Sequence, residues 1–221
     1  MKVLVIAPHP DDELIGVGGT IAKRTKDGHD VYVCVVTKGT ESLFDSKIIR
    51  QGRDECKKAD SLLGVKKTQF LNLPAVMLET VPRYELNEKI ANAIKTIMPD
   101  EIYIPHRGDM QLDHQLVVDA AMVAARPNSD HIISRIYSYE TLSETGWNIP
   151  NSINTFIPTV YENIEDTIEL KMKAMSIYKS QLYNFPNARS LKAIRSLAEY
   201  RGATVKCRAA EAFCLIREIK K

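Results

Sequence analysis

Lys2-Val3-Leu4-Val5-Ile6-Ala7-Pro8-His9-Pro10-Asp11-Asp12-Glu13 reads as a buried strand that runs directly into a histidine and three acids. Val3 to Ala7 is apolar at every position, as expected of a central strand covered on both faces. Open α/β sheets gather ligands and chemistry at the carboxyl ends of such strands. An imidazole and a carboxylate three residues apart, His9 and Asp12, can bind one divalent ion and leave the neighbouring Asp free to move protons. The competing reading makes the two aspartates an acidic cap on the following helix. That reading leaves the histidine unexplained.

Outward from this stretch, strand-like and helix-like segments alternate. Gly18–Lys26 is expected to be a helix ending near Gly28, and Asp30–Thr37 a second β-branched strand. A helix over Ile48–Leu63 is stopped by Gly64, and Thr68–Leu71 is a short strand. Tyr84–Met98 places Leu86, Ile90, Ala93, Ile94 and Ile97 at helical spacing and closes at Pro99. Strand Glu101–Ile104, helix His114–Ala125 and strand Ile132–Tyr139 follow. The β-α-β-α order predicts a three-layer, Rossmann-like α/β sandwich with a mostly parallel central sheet. Glu140 to Thr159, rich in Thr, Ser, Asn and Pro, is expected to be a loop over the site. Helices over Glu165–Leu182 and Ser190–Tyr200 and a strand over Ala212–Ile219 complete the chain. Without an internal repeat or a linker-like tract, residues 1–221 read as a single domain.

With 221 residues, 44% of them hydrophobic, the chain can bury a large core. Thirty Lys and Arg against 28 Asp and Glu leave a formal charge of +2 with no basic stripe, which argues against a nucleic-acid partner. No apolar segment approaches the roughly 18 residues of a membrane helix, so no integral membrane segment is expected. Cys34, Cys56, Cys207 and Cys214 have neither zinc-knuckle nor CxxC spacing and read as reduced thiols. Together with an N-terminus that starts a strand almost at once, they predict a cytoplasmic protein. Subunit number is left open, and a homo-oligomer is compatible with the sequence.

Catalytic zinc commonly takes three protein ligands, so His9 and Asp12 need a third. His106-Arg107-Gly108-Asp109-Met110-Gln111-Leu112-Asp113-His114 follows the strand Glu101–Ile104 and leads into a helix, repeating the topology of the first cluster. From there His114 can project back toward His9 and Asp12. His29 and His131 sit in turn-like settings and read as structural. His106 stays open between support of the site and plain loop.

Ala7-Pro8-His9-Pro10-Asp11-Asp12-Glu13 with Gly16, Gly18 and Gly19, joined to Gly108-Asp109-x-Gln111-x-Asp113-His114, resembles the signature of the PIG-L/LmbE-like zinc-dependent N-acetylglucosaminyl deacetylases. The resemblance covers nearly the whole chain. It extends to Tyr139-Glu140-Thr141, Phe185-Pro186-Asn187-x-Arg189-Ser190, Arg201-Gly202-Ala203 and Ala210-Glu211-Ala212-Phe213, a pattern of one bacterial branch. It implies that His9, Asp12 and His114 hold Zn²⁺ (with Fe²⁺ as the alternative) and that Asp11 is the general base. The substrate implied is a small N-acetylated amino sugar or conjugate. Asp113 would orient the site. Where the family often has a histidine, this chain has Gln111, which donates hydrogen bonds but does not titrate near neutrality. The general acid is then either Asp11 itself or a group such as His106. Among arginines, Arg53 ranks slightly ahead of Arg50 as a substrate contact. Arg189, Arg201 and Glu211 stay open between substrate pocket and structural ion pairs.

Gly16-Val17-Gly18-Gly19 invites a dinucleotide-binding reading. The spacing is not G-x-G-x-x-G, and two aspartates stand where a pyrophosphate would approach. Close helix–sheet packing explains these glycines better. Two other functions remain beside the deacetylase: an amidase acting on another acylated amine or thiol-sugar conjugate, and a metal-binding protein without turnover.

Overall fold

The computed structural model describes residues 1–128 and 131–220. Its elements, in chain order, begin with β1 (Lys2–Ala7), α1 (Asp12–Lys26), β2 (Asp30–Lys38), α2 (Ser46–Leu62) and β3 (Lys67–Pro74). They continue with α3 (Arg83–Ile97), β4 (Glu101–Pro105), α4 (Leu112–Ala124) and β5 (Arg135–Tyr139). The last third contributes β6 (Val160–Asn163), α5 (Ile168–Met175), α6 (Leu191–Ala203) and β7 (Ala210–Glu218).

The seven strands form one sheet in the order β3-β2-β1-β4-β5-β7-β6. β1 pairs in parallel with β2 on one side and β4 on the other, with Val5 opposite both Val33 and Tyr103. β7 is antiparallel to β5 and β6. Side chains alternate across a strand, and β1 shows what that does here. Val3 and Val5 face a core shared with Leu14, Ile21, Cys56, Met172 and Ile194, whereas Leu4 and Ile6 face one shared with Leu86, Ile90, Ile94 and Val117. The expected three layers are therefore present, with α1, α2, α5 and α6 over one face and α3 and α4 over the other. Strand order switches at β1, with β2 and β3 added on one side and β4 and β5 on the other, and the crevice beyond the carboxyl ends of β1 and β4 is where such sheets bind ligands.

Helix α1 starts at Asp12, six residues before the expected Gly18. The glycines lie inside the helix because its neighbours leave no room for a side chain. A Cβ on Gly16 would stand 2.3 Å from the Tyr139 ring, and one on Gly19 would stand 2.6 Å from Ile164. Packing overrides the low helix propensity of glycine. Two later expectations also change. The helix predicted over Glu165–Leu182 is α5 alone, ending at Met175; the chain then turns, burying Tyr178 completely and tying Ser180 Oγ to Glu55 Oε2 at 2.5 Å. The edge strand β6 was not anticipated, because Val160–Asn163 lacks an apolar alternation and is recruited by pairing with β7. His131, read with Ser129 and Asp130 as a turn, has only its own position described; its Nε2 lies 2.7 Å from the Pro99 carbonyl.

Candidate metal centre

Two loops bring the candidate ligands together. After β1, the chain turns at Asp11, whose φ of 111° lies in the left-handed region, and the Asp11 carbonyl accepts the Leu14 and Ile15 amides at 3.0 and 2.9 Å to start α1. A non-glycine residue held there costs roughly 1–3 kcal/mol, and such strain clusters at functional sites. After β4, the second loop enters α4 with Gln111 at its N-cap and His114 in the first turn.

Asp12 Oδ2 sits 3.3 Å from His9 Nδ1 and 3.3 Å from His114 Nε2. These three side chains offer atoms that lie within 4.8 Å of one another. The far nitrogen of each ring is already taken by a carboxylate. His9 Nε2 lies 2.9 Å from Asp113 Oδ2, and His114 Nδ1 lies 2.8 Å from Asp109 Oδ2. A carboxylate can only accept, so each neutral ring carries its proton on the far nitrogen and turns a lone pair inward, the arrangement that orients metal-binding histidines. His114 Nε2 and Asp12 Oδ1 are buried without a hydrogen-bond partner. Two orphaned acceptors of this kind at the focus of three ligating side chains fit a divalent cation.

The supporting carboxylates are themselves anchored. Asp113 accepts the Val76 and Leu78 amides at 2.7 and 3.3 Å, and Asp109 accepts the Thr145 hydroxyl at 2.6 Å. Asp113 thus reaches back to the histidine of the first loop instead of its neighbour His114. Asp109 performs the matching task for His114 and was quoted in the motif without a role. Its position five residues before a candidate ligand, in the loop that leads into α4, was the available signal.

Charge follows the same geometry. Burial alone would raise Asp12, but the His114 and His9 imidazoles hold it well below the usual carboxylate range. Burial opposes protonation of His114, yet Asp12 and Asp109 push its pKa up to about 10. Asp11 behaves differently. Burial raises its pKa to about 7, with Arg189 opposing and Asp12 adding to the rise. The Arg189 guanidinium lies 3.3 Å from Asp11 Oδ2, and both Asp11 oxygens lack a hydrogen bond.

A cavity of about 230 Å³ opens over this cluster, lined by His9, Asp11, Arg53, Gln111, Glu144 and Arg189 among others. A wider depression of about 960 Å³ lies beyond Arg189, walled by Trp147, Tyr183 and Tyr200, and holds none of the ligating residues. Arg53 lies at the cavity wall with its guanidinium 4.2 Å above the Phe70 ring and Nη1 2.5 Å from Asn72 Oδ1, while Arg50 lines only a neighbouring hollow that Arg53 shares. His106 is engaged elsewhere: its ring nitrogens meet the Asn154 carbonyl at 3.2 Å and Ser138 Oγ at 3.5 Å, and its ring packs edge-on against Phe156. Of the two readings left open for it, these contacts favour loop support, and His106 is absent from the cavity lining. Arg201 forms a paired contact with Glu140 at 2.8 and 2.6 Å, and Glu211 accepts the Gly19 and Thr20 amides and Lys171 Nζ. Both are structural. Arg189, left open between pocket and ion pair, lines the cavity, and Glu144 is a cavity residue that sequence reasoning did not name.

Residues 4–125, which contain both ligating loops, match the family model described as PIG-L, GlcNAc-PI de-N-acetylase. The chain belongs to the PIG-L family. It is 30% identical over 196 residues to the diacetylchitobiose deacetylase of Thermococcus kodakarensis, covering 81% of this chain and 70% of that protein. Among solved structures, the N,N'-diacetylchitobiose deacetylase of Pyrococcus horikoshii in complex with an inhibitor superposes with a TM-score of 0.78 at 27% identity, over 97% of this chain and 83% of that one. The 4-carboxy-2-hydroxymuconate hydratase GalB of Pseudomonas putida shares the fold at a TM-score of 0.80 and 16% identity, covering 100% of this chain and 98% of its own. That last likeness speaks for the fold alone. Membership of the PIG-L family makes the chain a deacetylase by kinship, and its candidate metal site agrees. No helix among the described residues is long and apolar enough to cross a membrane.

Proposed function

We propose that this PIG-L protein removes the N-acetyl group from a small amino sugar or amino-sugar conjugate, with His9, Asp12 and His114 holding a zinc ion and Asp11 as general base. The observation that carries this reading is the pairing of three convergent candidate ligands with a fourth acid, Asp11, beside a cavity that His9 and Asp11 line. When bound, zinc supplies Lewis acidity, lowering the pKa of water toward about 7 and polarising the amide carbonyl. Asp11 accepts the proton of the attacking water. A pKa near 7 suits a group that must take that proton and return it, and the same carboxyl delivers it to the departing amine nitrogen. Gln111 and Arg189, both at the cavity wall, donate hydrogen bonds to the acyl oxygen or to sugar hydroxyls. Arg53 contacts the sugar or its attached group. With His106 engaged elsewhere and a glutamine at position 111, Asp11 alone serves as base and then acid. Asp109 and Asp113 fix the tautomers of the two histidines.

The substrate class rests on kinship with proteins named for diacetylchitobiose, and a cavity of about 230 Å³ suits one hexosamine ring. Zinc is preferred over Fe²⁺ because two imidazoles and one carboxylate with an open position are a common catalytic zinc set. Four free cysteines suit a reducing, cytoplasmic setting. One sheet that takes strands from β1 to β7 supports a single domain.

Acetate release from a panel of N-acetylated amino sugars, neutral and anionic, tests the proposal. The protein reconstituted with Zn²⁺ should release acetate from at least one of them and lose that activity to a chelator. Stoichiometric zinc with no acetate from any member would overturn it. Reconstitution with Fe²⁺ in parallel decides the metal.

A further inference from the structure

Glu13 closes the His9-Pro10-Asp11-Asp12-Glu13 stretch, yet neither metal binding nor proton transfer uses it. It is fully buried. Its Oε2 accepts the Asp11 peptide N–H at 3.0 Å, and its Oε1 accepts the hydroxyl of Tyr178. Tyr178 is also fully buried and lies in the turn after α5. The bond from Glu13 therefore falls on the peptide of Asp11, whose φ of 111° an L-residue leaves unless something holds it. The same C-terminal stretch reaches the Asp11 side chain. Arg189 Nη1 stands 3.3 Å from Asp11 Oδ2 and is steadied by Gln181 Oε1 at 3.0 Å. Peptide and carboxylate of a single residue are thus gripped from segment 178–189, which lies outside residues 4–125 of the family match.

We propose that Tyr178, acting through Glu13, is a positioning residue that sets the direction of the Asp11 carboxylate and so the rate of the chemical step, without touching metal or substrate. The inference rests on the reading of Asp11 as the base. Asp12 has an independent hold, because its Oδ2 accepts the His9 amide at 2.9 Å. Loosening the Asp11 peptide should therefore misplace the base and leave the metal bound. A displacement of about 1 Å at a reacting group can cost on the order of 100-fold in rate. Asp60 and Thr68 provide a control in the same buried region. Thr68 donates to Asp60 Oδ2 at 2.5 Å and has no bond to Glu13 or Asp11.

The test is steady-state kinetics on the zinc-loaded full chain, with metal per chain measured on each preparation. Tyr178→Phe and Glu13→Ala should lower kcat about tenfold or more, with KM within about twofold and zinc content unchanged. Glu13→Gln, which keeps an acceptor for the Asp11 amide, should recover most of the loss. Thr68→Val should keep wild-type kcat. Wild-type kcat in both Tyr178→Phe and Glu13→Ala overturns the proposal, and so does an equal loss in Thr68→Val, which would mark a general effect of the cluster on stability. Should Tyr178→Phe not fold, the Glu13→Ala and Glu13→Gln pair decides. A wild-type protein inactive on every amino sugar removes the proposed function, and the brace is then read from crystal structures. Asp11 leaving its positive φ in Glu13→Ala supports the brace; an unmoved Asp11 ends it.

Discussion

Two clusters of metal-ligating side chains lie side by side in this protein: His9, Asp12 and His114, and Glu13, Cys56 and Asp60. The second is wholly buried and the first is buried except for a partly exposed His9, and both bring three potential ligand atoms together. In the first, every histidine has its outer nitrogen bonded to a carboxylate, and a cavity opens above. In the second there is no imidazole. Cys56 Sγ lies 3.7 Å from Asp60 and 4.0 Å from Glu13, and the hydroxyls of Thr68 and Tyr178 donate to Asp60 Oδ2 and Glu13 Oε1, leaving Asp60 Oδ1 without a partner. Charge diverges accordingly. The imidazoles keep Asp12 ionised, whereas burial without a cation raises Asp60 to about 7 and Glu13 well above its ordinary range. Proximity of ligating atoms is therefore a poor guide to a metal site. Oriented lone pairs, supporting acceptors and access make the difference.

The comparison breaks most visibly at His114. Replacing it with alanine should reduce bound zinc to well below one per chain and turnover by at least about 10³-fold. Metal analysis showing unchanged zinc would move the ion elsewhere, the sealed cluster included. Asp11→Asn should retain zinc and lose about 10²- to 10⁴-fold in kcat, the range of a positioned general base; full turnover would remove Asp11 from that role. Zinc affinity should climb with pH at up to about tenfold per unit, because binding must displace the proton that Asp12 and Asp109 hold on His114 up to about 10. Calorimetry finding a flat affinity between pH 6 and about 8 would contradict that charge state.

The smallest effect concerns the sealed cluster. Asp60 is raised from 3.8 to about 7 by burial, so the neutral form is the one the fold favours. Its contribution is present below pH 3.8 and lost as pH rises through about 7. Asparagine keeps the neutral state at every pH. Asp60→Asn should thus gain up to about 4 kcal/mol over the parent above neutrality and leave zinc at one per chain. Urea midpoints followed across pH report the first and metal analysis the second. Parallel pH curves for the two proteins would show that Asp60 is already ionised at no cost.

Much of the scaffold was legible from local pattern. The apolar run Val3–Ala7, the β-branched run around Val33 and the helical spacing of Leu86, Ile90 and Ile94 each encode burial within one element, so periodicity suffices. The convergence of the candidate ligands was legible for a related reason: His9 and Asp12 share one strand end, and His114 lies in the first turn of the helix after another. Which partner each ring nitrogen takes was not. Asp113 bonds His9 from 104 residues away, and no spacing announces that. The start of α1 was misjudged for the opposite reason, since the glycines that weaken a helix in isolation are what Tyr139 and Ile164 require of it.

By itself, then, the sequence determined the layered sheet, the two loops that meet beyond it and the chemistry those loops can offer, because each depends on residues close along the chain. Tertiary structure alone decided the hydrogen-bond direction of the histidines, the arginine at Asp11, the tyrosine behind Glu13 and the recruitment of β6. Those depend on contacts between segments far apart in sequence, where distance and burial select one partner among several of equal chemistry.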